Sequence, residues 1–456
     1  MINQPITWRS GQSDAPRPPL IQLRPLSGEA FEKLGQISAF FLENYRRSGP
    51  IYRFRRANEE FIVIAGAEAN QFMSRDGREY FHAEEYRREQ NDEFGINKTL
   101  VSLSGEEHYH LRKLQKPGYA RSSLYAHFPK LIEIVREVAR QWRPGQMLIA
   151  ADFMAPIIAE QLGWGVLTYH TGDYWKDLTL WVRSIVLTTL SQLQPKSILR
   201  RPEYLQAKAR VMQLADEIIT AHRLQKPGVR EPDLVDDLLA ALDENPELMT
   251  PQELRIAVLG PYIGGLDSTA HTCLFMLYSL LNNPDILARV TADVDAAFSA
   301  GQLTPSAIKN LDSLHYAAME SLRLYPVAGA IQGTVTHPFE FAGYRVDQGD
   351  NLIVAGAVPH HLEEHFSEPY KFDIDRYGEG RREHLQSGVY APFGLGTHIC
   401  LGAGIAETLI MLTMATLLHT VHLEIDPPSY QLNIELKPSP RPDDRFRVRV
   451  IAQRNQ

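Results

Sequence analysis

The residues best suited to chemistry lie in one open loop towards the end of the sequence. The segment Pro392–Gly402 reads PFGLGTHICLG and holds Cys400, one of only two cysteines in the chain. A lone cysteine is usually a small buried hydrophobe, and that interpretation suits Cys273 in its apolar helix. Cys400 differs, because glycines around it permit close backbone approach. An apolar helix is also predicted to begin at Cys400, and the N–H groups of a helix start favour a thiolate.

Such a thiolate is a suitable single protein ligand for heme iron, because it pushes electron density onto the metal and assists O–O cleavage. The spacing Phe393-x-x-Gly396-x-His398-x-Cys400-x-Gly402 resembles the heme-binding signature of the cytochromes P-450. The resemblance implies a heme b cofactor with Cys400 as the iron ligand. The cofactor contacts that it implies in this part of the chain are Phe393, Gly394, His398, Cys400, Gly402 and Ala406.

Two earlier segments resemble the ion-pair network that holds the cysteine loop in that family. Glu320 and Arg323 match the E-x-x-R of its K helix, and Arg376 follows Phe372 at the spacing that supplies a further arginine. Glu and Arg three apart on a helix are more often a surface ion pair. The resemblance implies a structural role for the three charged residues. Ile374 stands where the family has a proline.

The hexapeptide GGLDST, midway along a long apolar stretch, resembles the oxygen-activation motif of the family's I helix. Glycines inside a helix cost about 1 kcal/mol each relative to alanine, so Gly264 and Gly265 are reasonable if a flat cofactor approaches there. The resemblance implies that Asp267 and Ser268, with Thr269 as a nearby substitute, carry protons to dioxygen. The alternative is a core helix with tolerated glycines and one buried acid. Ser268 replaces the usual threonine.

A basic pair lies further upstream. His108 and Arg112 are four apart and share one helix face. In the resemblance they contact the heme propionates together with His398, and charge-assisted pairing suits all three. Gln332 stands where the family often has another arginine.

One rival cluster is rich in histidine. His361 and His365 are four apart, as in helical zinc sites, and His360 precedes them. The neighbouring glutamates do not have the H-E-x-x-H spacing. We therefore expect solvated histidines.

Substrate contacts are predicted from position alone, with ordinary core packing as the alternative for each. The small residues after the K helix indicate room above the heme and so a lipophilic substrate. The predicted pocket residues are Phe94, Val101, Tyr262, Ile263, Val327, Ala328 and Ala330.

The composition limits the class of protein. A net charge of −8 argues against general nucleic-acid affinity, and two cysteines fit a reducing compartment. The N-terminus lacks the pattern of a signal peptide, and no stretch approaches the roughly 20 apolar residues of a membrane span. We expect a cytoplasmic protein without a transmembrane anchor. The predicted fold is mainly α with a smaller β portion: one catalytic domain over residues 1–456, with residues 1–25 as an extended lead-in and heme between the I and L helices.

The resemblance implies a monooxygenase that inserts one oxygen atom from O2 into a lipophilic molecule by hydroxylation or epoxidation. Electrons must then come from a separate donor, and a ferredoxin or flavodoxin is expected. Cations that could form a basic docking face are Lys113, Lys116, Arg121, Arg381 and Arg382. Two alternatives stay open: an isomerase, dehydratase or peroxygenase that needs no electron donor, and a heme-binding sensor without turnover. The acid–alcohol pair favours the monooxygenase.

Overall fold

The computed structural model describes residues 6–56, 58–225, 228, 230–299, 301, 303–436 and 438–454. The α-helices are α1 Glu29–Ser48, α2 Ala67–Arg75, α3 Glu84–Phe94, α4 Gly105–Gln115, α5 Phe128–Ala139, α6 Ala150–Val166, α7 Tyr174–Ile185, α8 Pro202–Leu224, α9 Leu234–Glu244, α10 Pro251–Val258, α11 Gly260–Leu281, α12 Pro284–Ser299, α13 Pro305–Lys309, α14 Asp312–Leu324 and α15 Ala403–Thr420. The strands are β1 Trp8–Ser10, β2 Ile51–Arg56, β3 Glu59–Ala65, β4 Phe81–His82, β5 Met147–Ile149, β6 Ile331–Val335, β7 Phe339–Phe341, β8 Tyr344–Val346, β9 Asn351–Ala355, β10 Val421–Ile425, β11 Ile434–Leu436, β12 Pro440–Pro442 and β13 Arg447–Gln453. The predicted class, mainly α with a smaller β portion, is confirmed.

The described residues fall into two compact units. The strand-rich unit takes its residues from Met1–Arg88, Val101–Gly105 and Leu322–Cys400. The helical unit takes its residues from Glu89–Leu100, Glu106–Ser321 and Leu401–Gln456. Cys400 is therefore the last residue of one unit, and the helix that follows it belongs to the other.

The strand-rich unit is built on a sheet with the strand order β2-β3-β9-β6-β4, in which β3 and β9 run parallel. The sequence of β3 is apolar without alternation, as expected for a strand covered on both faces. Phe61, Val63 and Ala65 pack with the buried side of α1, whereas Ile62 and Ile64 pack in the core that contains α2 residues. A second sheet has the order β1-β7-β8. Residues 6–25 contain β1 and are otherwise mostly irregular, while residues 1–5 of the predicted lead-in lie outside the described residues.

The helical unit is centred on α11 and α15, which pack against one another and against α6 and α5 respectively. Its strands form the sheet β10-β13-β5 and the hairpin β11-β12. Helix α15 is the one described helix that is long and apolar enough to cross a membrane, and 78% of its most apolar window is buried inside the protein. That burial is typical of a core helix that is apolar on every side.

The long apolar stretch predicted between Pro251 and Leu281 is two helices. Thr250 begins α10 with a capping box, in which its hydroxyl accepts from the Glu253 N–H at 3.2 Å. The regular helix stops at Val258 because Pro261, two residues after Leu259, has no N–H to continue the ladder. Helix α11 starts afresh at Gly260 and carries the glycine and acid motif in its first half.

Candidate active site

Cys400 is exposed on the loop that precedes α15, and its N–H donates to the Phe393 carbonyl at 2.9 Å. Two glycines shape this loop, since Gly394 and Gly396 have φ values of 79° and 67°. A Cβ at Gly396 would also lie 2.7 Å from the Met73 carbonyl oxygen. The loop can therefore fold as it does only with glycine at these positions.

The helix after the loop begins later than the sequence indicated. Helix α15 starts at Ala403, and its first i to i−4 bond runs from the Ala406 N–H to the Gly402 carbonyl at 2.8 Å. Cys400 lies three residues earlier, so the prediction that it opens the helix is wrong. The exposure of the sulfur comes from the loop, and Cys273 shows the contrast because its thiol is buried in α11 and burial raises its pKa.

Arg323 is fully buried, which excludes the surface ion pair that helical spacing alone would indicate. Its guanidinium donates to the carbonyls of His360 at 2.5 Å and Pro369 at 2.8 Å. It also lies 4.9 Å from the centre of the Phe366 ring. Glu320 is equally buried. A buried arginine that binds carbonyls fixes the path of the backbone around it.

Arg376 is the second fully buried arginine of the strand-rich unit. It pairs with Glu383 at 2.5 Å and donates to the Ser367 carbonyl at 3.0 Å. Arg381 binds the same Glu383 at 2.7 Å and Asp373 at 2.7 Å. Arg381 therefore belongs to this ion-pair network while remaining exposed, and its place in a basic docking face stays a prediction.

Two of the three histidines that we expected to be solvated, His360 and His361, are buried, and His365 is half-buried. His360 accepts from the Ala391 N–H at 2.9 Å through Nε2, and its Nδ1 lies 3.2 Å from the Arg323 carbonyl. Burial lowers the pKa of His360 to about 3 and also lowers the pKa of His361. Both are neutral parts of the core, chiefly because of their burial and secondarily because the charge of Arg323 disfavours another positive charge.

Helix α11 turns an open face outward at its glycine motif. Gly264 is exposed in mid-helix, and a Cβ there would meet no described atom within 4 Å. Ser268 lies on the same face, half-exposed, and its hydroxyl donates to the Gly264 carbonyl at 2.7 Å. This open face has room for a flat group against the backbone.

Gly265 and Thr269, two other members of the motif, do not lie on this open face. A Cβ at Gly265 would lie 3.3 Å from a methyl group of Leu162, so this glycine permits close packing of α11 on α6 rather than contact with a cofactor. Thr269 is buried, so its hydroxyl is less accessible than that of Ser268. Gly265 is therefore not on the open face where we predicted a cofactor contact. Thr269 is likewise not on the open face where we predicted a substitute hydroxyl.

Asp267 is held by an arginine that sequence reasoning missed. Arg183 on α7 donates through Nε to Oδ2 at 2.9 Å and through Nη2 to Oδ1 at 2.8 Å, a two-point ion pair. Bidentate pairs of this kind fix both the position and the orientation of a carboxylate. No motif marks Arg183, because the two residues meet only after α7 packs on α11.

Two predicted pocket residues belong to the core instead. The hydroxyl of Tyr262 lies 2.8 Å from Thr171 Oγ1 and its ring is fully buried. Phe94 is buried with its ring centre 5.3 Å from that of Trp181. Both predictions are wrong because these rings fill the spaces between helices.

The other predicted pocket positions retain some exposure. Val101 is 47% exposed. The remaining half-buried or exposed candidates are Ile263, Val327, Ala328 and Ala330. Ala330 packs against the core beneath β3.

His108 is buried on α4, and Arg112 is half-buried one turn later. Burial, with a smaller effect from the Arg112 charge, lowers the pKa of His108. The imidazole is therefore neutral at pH 7 in this structure. The neutral imidazole of His108 can still donate one hydrogen bond to a propionate. Of the two residues, only Arg112 carries the positive charge that the expected charge-assisted pairing needs.

Each unit, taken by itself, carries residues of a kind that suits a heme. The strand-rich unit presents one exposed cysteine on a loop too tight for larger side chains, which suits a single thiolate ligand. The helical unit presents the open Gly264 and Ser268 face and the Arg112 cation. A buried arginine network lies in the chain segment just before the cysteine. These features define a protein of the heme-thiolate class.

A comparison with protein families identifies the family to which the chain belongs within this class. Residues 176–448 match the family model described as Cytochrome P450, and the chain therefore belongs to that family. A cyclooctat-9-en-7-ol 5-monooxygenase of Streptomyces melanosporofaciens is 26% identical over 71% of this chain and 72% of its own. A sterol 14alpha-demethylase of Mycolicibacterium vanbaalenii is 25% identical over 84% of this chain and 86% of its own.

The fold agrees with solved structures. The retinoic acid-bound cyanobacterial CYP120A1 matches with a TM-score of 0.81 at 23% identity, over 96% of this chain and 100% of that one. The heme domain of cytochrome P450DA matches with the same TM-score at 22% identity, over 97% and 98%. The protein is a monooxygenase with heme b as its cofactor, and a reaction of this class needs a substrate, O2 and a source of electrons.

We expect Arg376→Leu to lower the free energy of unfolding by about 2–3 kcal/mol, because the Ser367 carbonyl loses a charged donor and the half-buried Glu383 carboxylate keeps only Arg381 as its cation. Arg382→Leu is the matched control, since Arg382 is exposed and lies 3.7 Å from Glu379. That change is expected to cost less than about 1 kcal/mol. Urea unfolding of both variants measures the difference, and equal losses would contradict the structural role of Arg376.

Proposed function

We propose that the protein inserts one atom of O2 into a lipophilic, ring-containing small molecule by hydroxylation or epoxidation. The observation that carries this proposal is the open face of α11, where Ser268 stands one turn from Gly264 and beside the ion-paired Asp267. An acid next to an alcohol suits the delivery of protons to the open face of α11. The two relatives named for a cyclic alcohol and a sterol support the choice of substrate class.

Each residue has a distinct task in this proposal. Heme iron held by a thiolate supplies the activation of O2 and the transfer of one oxygen atom. Cys400 provides the sulfur, and its own N–H stays bonded to the Phe393 carbonyl, which holds the loop closed. The Ser268 hydroxyl carries the proton nearest the open face. Asp267 supplies protons to it, and Arg183 keeps the carboxylate oriented.

We infer that electrons come from a ferredoxin or flavodoxin in the cytoplasm. Lys113 and Lys116 are exposed on and just after α4, and they would meet an acidic partner. Arg121 already pairs with Glu407 at 2.6 Å, so it contributes less to the attraction of an acidic partner. Exposed charges of this kind mainly accelerate association.

The first test is the absorption spectrum of the reduced protein with carbon monoxide. We expect a strongly red-shifted Soret band, and we expect Cys400→Ala to lose it because no thiolate remains. Cys273→Ala is the matched control and should keep the band. A spectrum of histidine-ligated heme in the native protein would overturn the assignment of Cys400.

The reaction itself is tested with a surrogate redox pair and a panel of sterols and terpenoid alcohols. We expect an oxygenated product whose new oxygen comes from labelled O2. Product formed without an electron donor would favour an isomerase or dehydratase. Product formed with hydrogen peroxide alone would favour a peroxygenase, and no product from any compound would favour a sensor.

We expect Ser268→Ala to lower the fraction of consumed electrons recovered in product by about tenfold or more, since it removes the accessible hydroxyl. Thr269→Val should change this fraction less than twofold, because that hydroxyl is buried. Ser268→Thr should retain the native fraction or improve it, since the added methyl restricts the rotamer. A larger loss in Thr269→Val than in Ser268→Ala would reverse the two roles.

The proposed basic docking face, formed by Lys113 and Lys116, predicts that the rate of heme reduction depends on salt concentration. Charge reversal in Lys113→Glu with Lys116→Glu should slow heme reduction by an acidic ferredoxin and flatten its dependence on ionic strength, because fewer charges attract the partner. Arg143→Glu, on an exposed loop before β5, is the control and should leave the rate unchanged. Stopped-flow reduction at several salt concentrations measures this, and an unaltered salt slope in the double variant would refute the face.

A further inference from the structure

A cleft lies along the solvent side of α8, and none of the residues that line it has a part in the proposed reaction. Its volume is about 620 Å³, and small-molecule sites usually have roughly 300–1,000 Å³. All the lining residues belong to the helical unit. The cleft is therefore a feature of one compact unit, and it is large enough for a small molecule.

One part of the wall of this cleft is apolar. Ala221 and Leu224 follow Glu217 by four and seven residues, so the three side chains share one face of α8. Leu224 is 79% exposed. Seven residues of helix correspond to about 10 Å along the axis. An apolar strip of this length therefore leads from the Glu217 carboxylate to the end of the helix.

The carboxylate of Glu217 is held in one orientation by neutral donors. Its Oε1 accepts from the Tyr174 hydroxyl at 3.0 Å and from the Gln213 side-chain amide at 2.8 Å. Its Oε2 accepts from the Tyr169 hydroxyl alone, at 3.3 Å. Burial, together with the Glu217 charge, raises the pKa of both tyrosines, so each stays a neutral donor. Because each carboxylate oxygen has two lone pairs, Oε2 can accept a further hydrogen bond.

The charge of Glu217 is not balanced by a cation. Among the described residues, no lysine, arginine or histidine forms an ion pair with it. Two arginines of this unit pair with other acids: Arg210 with Asp177 at 2.6 Å, and Arg255 with Asp216 at 2.7 Å. A cleft with unbalanced charge of one sign concentrates the field of that charge and attracts the opposite ion.

We propose that this cleft binds a primary alkylammonium ion, a small molecule with a cationic head and an apolar chain. The ammonium group donates to Glu217 Oε2, where a lone pair is available. The chain lies along α8 on Ala221 and Leu224. Primary amines of this kind are protonated at pH 7, so the charge and the apolar strip are both matched. The site is independent of the proposed function, because the two share no residue.

Affinity is measured by titration calorimetry with octylammonium. The protein is the reduced carbon monoxide complex, so that the amine cannot ligate the iron. We expect Glu217→Gln to weaken binding about tenfold or more, because the hydrogen bond loses its charge. Glu137→Gln is the matched control, since Glu137 is exposed on α5 and the change removes the same charge. It should leave the affinity unchanged.

Two further probes separate the head from the chain. Octanol has the chain without the charge, and N-acetyl-lysine amide has the cation without a free alkyl chain. We expect both to bind at least tenfold more weakly than octylammonium. Equal affinity for octanol would overturn the role of Glu217. Equal affinity for the lysine derivative would indicate a lysine of a partner protein as the occupant, and it would overturn the proposal.

The position of the chain is measured by methyl NMR on protein labelled at leucine methyl groups, again as the carbon monoxide complex. Leu224→Ser assigns the Leu224 signals, and the fold tolerates this change because the side chain is exposed. We expect octylammonium to shift the Leu224 signals, and ethylammonium to shift them much less. Leu224→Ser should weaken octylammonium binding about threefold or more and leave ethylammonium binding unchanged.

These readouts need no turnover, so they stand apart from failure of the proposed activity. Affinity that survives Glu217→Gln, or Leu224 signals that stay in place at saturation, would put the amine elsewhere in the protein and overturn the proposal. Absence of saturable octylammonium binding to the native protein would overturn it as well.

Discussion

A cysteine sulfur can serve as a metal ligand only if its loop stays open on one side and is held firmly from the other. The loop at Cys400 has too many glycines to hold itself. Its support comes from buried polar groups in the same unit: Asn70 donates to the carbonyls of Gly356 at 2.9 Å and Gly388 at 2.8 Å. Arg323 and Arg376 bind further carbonyls behind it. Such groups are costly to bury without partners, so the bonds that they make hold the backbone next to the loop in one arrangement.

The faces of helix α11 also have different roles. One face is bare at Gly264 and lets a flat group approach, while the adjacent face packs on α6 through Gly265. Asp267 lies at the edge of these faces, where Arg183 binds both of its oxygens. A single turn of helix thus combines a binding surface, a packing surface and a charged group. The half-exposed Ser268 lacks the second Cβ substituent of a threonine, which leaves its hydroxyl less restricted.

The sequence allowed prediction of the family, the cofactor and the thiolate residue, because the spacing around Cys400 survives as a local pattern. It also indicated the class of fold and most of the helices. It did not reveal Arg183, since an arginine on an amphipathic helix looks the same whether it meets water or a carboxylate. Tyr262 and Phe94 were misplaced for a related reason: an apolar residue near a motif can face the pocket or the neighbouring helix. The burial of His360 depends on the tertiary position of Arg323.

The parallel pairing of β3 with β9 has a consequence for how the chain is made. Phe61 lies opposite Asn351 in this pair, so the central sheet joins the first part of the chain to its last third. Contacts this distant in sequence form late and slow the folding of a domain. During synthesis the early strands must wait for their partner to leave the ribosome, and the cysteine loop emerges later still. The thiolate ligand therefore becomes available only after both strands of this parallel pair have been made, so the sheet can form before the cofactor is bound.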